Sequence, residues 1–452
     1  MPSAFTYLAL MLAVICIWFI ILKRPIYEAM CAAFIVLTAV TGSWVKIPSY
    51  IQAGLKTQLL YSMTAFIALS VILTKTGIID GAVNIILSLL GRFTGGTGYA
   101  AVVASSFMGA LSGSGPGNVM ATGTITIPAM KKSGFPPELA ANIESASSYL
   151  GNMIPPSANI MAALGAFTAV YPESGITSGQ FWVVCWGCSL WFILQRLVTV
   201  FAFCKYYHVK PMSKDDMPNL SQSLHEGWRG LLLPVIILAP FVLDFFFKST
   251  FFTSRLGKTG AGYFSSSMLV FVAGVAAFYA IVAAKDKSLV SPSAIAETFT
   301  DSAKNISITV GTCIFGYMIG ALFKDLNVSK ELQTFLSAMD MGQVGLALVI
   351  PLIMCLLCMI IPGSSVVVIF GPAVISLLAG AGVSPILVAA MLPCVCGVMG
   401  GITPPLALGM YAGMSLAGSD FMKTLLNDLW WVILQYLMEV VILLGLLPVM
   451  GV

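Results

Sequence analysis

Long apolar runs dominate the chain. A spanning helix needs ~20 apolar residues, and runs of that kind cover 5–22, 26–45, 58–74, 179–203, 230–247, 262–284, 305–323 and 425–448. Two more, 137–170 and 385–417, are long but interrupted by Gly-Asn-Met-Ile-Pro-Pro at 151–156 and Gly-Gly-Ile-Thr-Pro-Pro at 400–405. Glycine and tandem proline break the helix there without ending the apolar run. The stretches 97–131 and 343–380 each read as two apolar arms around a Gly/Ser/Pro tip. An arm of ~15 residues reaches ~22 Å, short of a ~30 Å hydrocarbon core, so both are expected to be re-entrant hairpins. The pattern predicts an all-α polytopic membrane protein with about ten spans plus two hairpins.

The two halves repeat at an offset of 249 residues. Pro136, Pro155 and Pro156 fall on Pro385, Pro404 and Pro405, Gly151 falls on Gly400, and Lys75 on Lys324. An amphipathic segment follows each lysine, at 76–91 and 325–340. The stripe Ile79, Val83, Ile86, Leu87, Leu90 matches Val328, Leu332, Phe335, Leu336, Met339 at helical spacing. Five crossings separate the starts of 58–74 and 305–323, and an odd count turns the second half upside down. The expected organisation is N-terminal scaffold spans at 1–57, a first inverted repeat at 58–203, a cytoplasmic loop with two scaffold spans at 204–304, and a second inverted repeat at 305–452.

Composition narrows the function classes. Of 452 residues 58% are hydrophobic and 9% charged, against about 25% charged in a soluble domain. A net charge of +4 from scattered basic residues excludes a nucleic-acid footprint. Fourteen lysines and arginines, Lys131 and Lys210 among them, fall on one side of this topology and seven, including Lys46 and Lys258, on the other. The excess puts the first side in the cytoplasm and both termini outside. Lys23–Arg24 follows the first apolar run instead of preceding it, so residues 1–22 are expected to stay as a span. Trp182, Trp186, Trp191, Trp430 and Trp431 are expected as interface anchors. His208 and His225 fall in one polar loop, 204–229, which leaves no histidine for a metal site or proton relay in the apolar body. The pairs Cys185/Cys188, Cys355/Cys358 and Cys394/Cys396 sit in apolar runs without His or carboxylate partners and read as small hydrophobes. No hydrolase, metalloprotease, P-loop or dinucleotide motif occurs, so neither an enzyme nor an organic cofactor is expected.

The chemistry concentrates at the tips and breaks. The first tip is Ser112-Gly113-Ser114-Gly115-Pro116-Gly117-Asn118 and the second Pro362-Gly363-Ser364-Ser365. Backbone polar groups exposed at membrane depth cost several kcal/mol each unless they line a cavity or bind something. Carbonyl and hydroxyl oxygens of unwound helix suit Na⁺, and half-helix N-termini suit an anionic substrate. Small residues also permit tight helix packing, but four such motifs arranged two by two exceed that need. Glu144 stands in the helix leading to the first break, with Pro393 as its repeat partner. A coupling role and a structural helix-to-helix hydrogen bond both remain open for it. Glu28, Asp244 and Glu439, on other spans, read as structural.

Ser112-Gly113-Ser114 with Asn118, then Ala121-Thr122-Gly123-Thr124-Ile125-Thr126-Ile127-Pro128-Ala129-Met130-Lys131-Lys132, resembles the large membrane subunit of TRAP transporters. So do Gly134-Phe135-Pro136-Pro137-Glu138, Ile143-Glu144-Ser145-Ala146-Ser147-Ser148 running into Met153-Ile154-Pro155-Pro156, and Gly400-Gly401-Ile402-Thr403-Pro404-Pro405. Ala417-Gly418-Ser419-Asp420 and the glutamate at 144 look closest to the TAXI branch. The resemblance implies an elevator-type, Na⁺-coupled importer of small organic acids in a bacterial or archaeal inner membrane, fed by a secreted substrate-binding protein. Segments 76–91 and 325–340 would be levers joining the moving units to the scaffold. Ser112, Ser114, Asn118 and Gly151 match a first ion site; Gly363, Ser364, Gly400 and Thr403 match a second. Gly115, Asn152, Pro155, Pro156, Ser365, Pro404 and Pro405 are expected to line the substrate pocket. Large subunits of that branch are often fused to a four-span small subunit. Only two spans precede the first repeat here, so that subunit is expected either as a separate chain or to be missing. A stand-alone Na⁺- or H⁺-coupled carrier needing no binding protein is the alternative.

Overall fold

The computed structural model describes residues 4–56, 58–112, 115–213, 215–284, 286, 288, 291–328, 330–331, 334, 341–359, 363–404 and 406–452. Every regular element among them is helical. The first half of the chain holds α1 (Ala4–Cys16), α2 (Ile26–Thr41), α3 (Ile47–Lys56), α4 (Gln58–Thr76), α5 (Ile78–Leu90), α6 (Gly96–Ser112), α7 (Gly115–Lys132), α8 (Pro137–Leu150), α9 (Ala158–Val170) and α10 (Ser178–Tyr206). The rest holds α11 (Leu220–Phe247), α12 (Thr253–Ala283), α13 (Pro292–Asp325), α14 (Gly342–Cys358), α15 (Gly363–Gly380), α16 (Pro385–Pro393), α17 (Leu408–Ala417) and α18 (Phe421–Leu443). Between α16 and α17 the backbone continues as a π-helical stretch, Cys394–Met399, and one turn, Gly400–Ile402.

Local signals set most boundaries. Thr177 and Gln180 form a reciprocal capping box at the start of α10. Gly42, in the left-handed region at φ 66, closes α2. Asp420 caps α18 by accepting from Lys423 N. The centre of the molecule is α8, buried without interruption from Leu139 to Leu150. A helix buried all round belongs in the interior of a bundle; α6, α7, α17 and α18 surround it. The lever candidate α5 crosses α11 glycine on glycine: a Cβ on Gly81 would lie 2.5 Å from Gly227 Cα.

Several expectations change. By length and composition, 6 described helices can cross a membrane, or up to 8 if two bent pairs each count as one span. Ten were expected, but α1 and α2 are only 13 and 16 residues long. The hairpin arms run 17 and 18 residues in each half, not ~15, because helix continues right up to the tips. One of them, Gly363–Gly380, is itself long and apolar enough to span. Helix α3 was not expected. Helix α11 begins at Leu220, so His225 is helical and the polar loop shrinks to 207–219. Trp182 and Trp431, at 3% and 1% exposure, are core rather than interface residues. Trp182 lies on Phe241, with ring centroids 3.7 Å apart. Most of the second lever segment, including Leu332, Phe335, Leu336 and Met339, lies outside the described residues.

The 249-residue offset reappears in the backbone. Gly151 has φ −53, ψ −26 and Gly400 φ −62, ψ −26. Three residues on, Ile154 (φ −96, ψ 125) and Thr403 (φ −98, ψ 125) leave the helix in the same extended conformation.

Candidate functional site

Both tips lean on the breaks through bare backbone. A Cβ on Gly151 would sit 2.3 Å from Gly109 C and Ala110 N, which fixes the first break against α6. In the second half a Cβ on Gly363 would sit 1.7 Å from Cys396 O, and one on Gly400 2.4 Å from Cys358 Cβ. Only glycine allows such approaches. The breaks also touch each other, since Asn152 Nδ2 donates to Gly397 O at 2.6 Å. Ser157 ties off the first break, donating to Asn152 O and accepting from Ile160 N.

The first half adds a polar knot. Glu144, 0% exposed, accepts from Ser148 (2.9 Å) and Thr122 (2.5 Å) on Oε1, and from Ser105 (3.0 Å) and Thr126 (2.5 Å) on Oε2. These hydroxyls come from α6, α7 and α8 itself, so one carboxylate fastens both hairpin arms to the broken helix. Asn118 extends the knot toward the tip, donating to Ser105 O and Ser148 Oγ, both at 2.8 Å. Its Oδ1 is buried and finds no partner among the described residues. The second half has Pro393 where the first has Glu144, and a π-helical stretch begins directly after it.

Of the residues singled out from sequence, Asn118, Gly151, Asn152, Gly363 and Gly400 converge on this centre through the contacts above. Ser112 ends α6. Ser114 and Pro405 lie outside the described residues. Ser364 and Pro404 are half-buried, and Pro155 and Pro156 are buried. Ser365 is 0% exposed, and its Oγ has no partner among the described residues. Thr403 Oγ1 donates to Met399 O at 2.5 Å, which leaves its lone pairs free. The two repeats thus match in backbone but not in side-chain oxygens.

Sequence reasoning missed Tyr149. Its ring is packed by three glycines: a Cβ would come within 2.5 Å of it from Gly115, 1.6 Å from Gly401 and 2.2 Å from Gly409. One side chain of the first half therefore meets the first tip, the second break and α17. The signal available was a lone aromatic in an otherwise small stretch, Glu144-Ser145-Ala146-Ser147-Ser148-Tyr149. Asp428 was missed too; it is 1% exposed on α18, and its Oδ1 has no partner among the described residues.

Buried oxygens at both tips with no partner among the described residues are what a hard cation with oxygen ligands fits. No group of three or more His, Cys, Asp or Glu able to hold a metal occurs among the described residues.

Comparisons with known proteins agree with each other. The family described as "Tripartite ATP-independent periplasmic transporter, DctM component" matches residues 5–450. The C4-dicarboxylate TRAP transporter large permease protein DctM of Vibrio cholerae is 24% identical over 404 residues, covering 85% of this chain and 83% of that one. The sialic acid TRAP transporter large permease protein SiaM of the same organism is 22% identical over 382 residues, 84% and 82% of the two chains. The structure of MtrF from Neisseria gonorrhoeae, one of a class of antimetabolite efflux pumps, superposes with a TM-score of 0.65 at 16% identity, covering 91% of this chain and 87% of that one. At that identity the likeness shows the fold alone.

Proposed function

This chain belongs to the tripartite ATP-independent periplasmic transporter family as a DctM component, and from that premise we propose that it imports small organic acids by Na⁺-coupled, elevator-type transport. It is a membrane permease and not an enzyme. The observation that carries the coupling is the pair of buried oxygens, Asn118 Oδ1 and Ser365 Oγ, one at each tip, that have no partner among the described residues. Ser112, Ser114, Asn118 and Gly151 would hold one ion; Gly363, Ser364, Gly400 and Thr403, joined by Ser365, the other. A bound Na⁺ would satisfy these oxygens and lend positive charge beside a carboxylate substrate. Carboxylate cargo is supported by the names of the relatives, one for C4-dicarboxylates and one for sialic acid. The tripartite family implies a substrate-binding protein and a small membrane subunit as partners, and we assign this chain the TAXI branch on its Ala417-Gly418-Ser419-Asp420 motif and Glu144. Proton coupling through Glu144 is disfavoured because four hydroxyls already occupy both of its oxygens.

Uptake of a receptor-delivered organic acid into proteoliposomes is expected to need Na⁺ and to stop when choline replaces it. Unchanged uptake in choline would overturn the coupling. Ser365→Ala is the clean ligand probe, since its hydroxyl has no partner to lose among the described residues. Leaving an ion site short of one oxygen weakens it by ~1–3 kcal/mol, so half-maximal Na⁺ should rise about tenfold or more, and Thr403→Val should act likewise.

We also propose that both termini face outward. Several of the expected cytoplasmic residues gather at one end: Lys210 N donates to Ser133 O, Met212 N to Gly91 O, and Lys132 pairs with Asp216. Lys132 and Ser213 hold the Asp216 carboxyl below the usual range. Exposed positions 210 and 259 should therefore label from opposite sides as single cysteines. Labelling of both from one side would reject the arrangement.

A further inference from the structure

Arg196 of α10 is 1% exposed and has no carboxylate partner among the described residues. A guanidinium is always charged, and burying it without an anion is costly. Its donors go instead to neutral oxygens: Nε to Ala146 O (3.2 Å), Nη1 to Gln195 Oε1 (3.0 Å) and Nη2 to Gln435 Oε1 (2.5 Å). Gln435, 0% exposed on α18, passes the link on through Nε2 to Cys394 O at 3.1 Å. Ala146 stands five residues before the first break at Gly151, and Cys394 six before Gly400. The chain Ala146 O–Arg196–Gln435–Cys394 O therefore spans from one broken helix to the other. Each end takes a main-chain carbonyl, so it reads backbone position and not side-chain identity. At the second end it meets the π-helical stretch Cys394–Met399, whose backbone bonds run i→i+5 instead of i→i+4. Small residues alone would not call for an arginine and a glutamine at 1% and 0% exposure.

We propose that Arg196 and Gln435 are positioning residues that hold the two broken helices, and with them the two ion centres, in one fixed register. They touch neither ion nor substrate; they act through the carbonyls of Ala146 and Cys394. The consequence for ion cooperativity rests on the Na⁺-coupled reading, whereas the mechanical link does not.

Two substitutions divide the chain of contacts. Gln435→Glu keeps an acceptor for Arg196, and pairs its charge, but removes the donor to Cys394 O. Arg196→Lys keeps the charge and loses the planar fork that reaches Ala146 O and Gln435 together. Hydrogen exchange of the whole purified protein reads the link without any transport. Gln435→Glu should speed exchange across 394–403 about tenfold or more and leave 146–154 near wild type; Arg196→Lys should speed exchange in 146–154. Residues 26–41 of α2 should be unaffected in both. Unchanged exchange at both breaks, or a uniform rise that includes α2, would overturn the proposal. In proteoliposomes the Hill coefficient for Na⁺ should fall toward one in Gln435→Glu, with the maximal rate retained within about twofold; a lost rate with intact cooperativity would also count against it. Na⁺-independent wild-type uptake would overturn the coupling reading, while hydrogen exchange still decides the link.

Discussion

Glu144→Ala is expected to abolish uptake and sharply lower the thermal midpoint, while Glu144→Gln retains most of both. Alanine takes an acceptor from four buried hydroxyls; Ser105, Thr122 and Thr126 have others to turn to, but Ser148 has none among the described residues. That orphaned group, at ~1–3 kcal/mol, adds to the cost of the void left by the carboxylate. The total is several kcal/mol, a large share of a typical margin of about 5–15 kcal/mol. Glutamine keeps an oxygen for two of the donors. Its NH₂ can be accepted by the other two, because Thr126 has Thr122 O at 3.1 Å and Ser105 has Thr122 Oγ1 at 3.1 Å to donate to instead. A proton carrier would behave differently, since an amide cannot exchange the coupling proton. Loss of uptake in a well-folded Glu144→Gln protein would therefore make Glu144 a coupling residue and refute the structural role. Thermal unfolding and uptake, measured on the same preparations, distinguish the outcomes.

Gly363→Ala is expected to be at least as damaging. The new methyl would lie 1.7 Å from Cys396 O, a backbone atom that cannot swing aside as a side chain can. The second tip must then separate from the second break, which would pull apart the proposed ion site drawing oxygens from both. Na⁺-dependent uptake should fall below detection even where folded protein is recovered. Gly401→Ala presses on Tyr149 Cε1 at 1.6 Å, but there the obstacle is a ring. Shortening that ring in Gly401→Ala/Tyr149→Leu should restore part of the lost uptake, whereas no side-chain change can relieve Gly363→Ala. Gly274→Ala, with nothing within 4 Å of its Cβ position, serves as the control and should match wild type. Normal uptake by Gly363→Ala would mean that the close approach of tip and break is dispensable.

The hairpins, the breaks and their symmetry were legible because each has a local cause. Glycine and proline disrupt helices wherever they fall, and the 249-residue offset in Gly151/Gly400 and Pro155/Pro404 carries straight into matching dihedrals at Ile154 and Thr403. Helix lengths were less legible. Nothing local announces that α6 continues to Ser112. The start of α11 at Leu220 did have a local signal, the N-cap Asn219 accepting from Ser221 N and Gln222 N, and it went unread. Trp182 and Trp431 misled for a related reason: an indole suits both a membrane interface and a core, and only the neighbours decide.

The sequence by itself determined the solvent, the helical class, the positions of the tips and breaks, and the glycines that must stand there. These follow from composition, from the ~20-residue length of a span and from backbone preferences of single residues. The tertiary structure decided which polar atoms meet. Glu144 lies 39 residues from Ser105, Asn152 245 from Gly397 and Arg196 239 from Gln435. Hydrogen-bond partners at such separations have no periodicity to betray them. A buried donor or acceptor demands a partner but does not say whose, and that choice is made only when the helices pack.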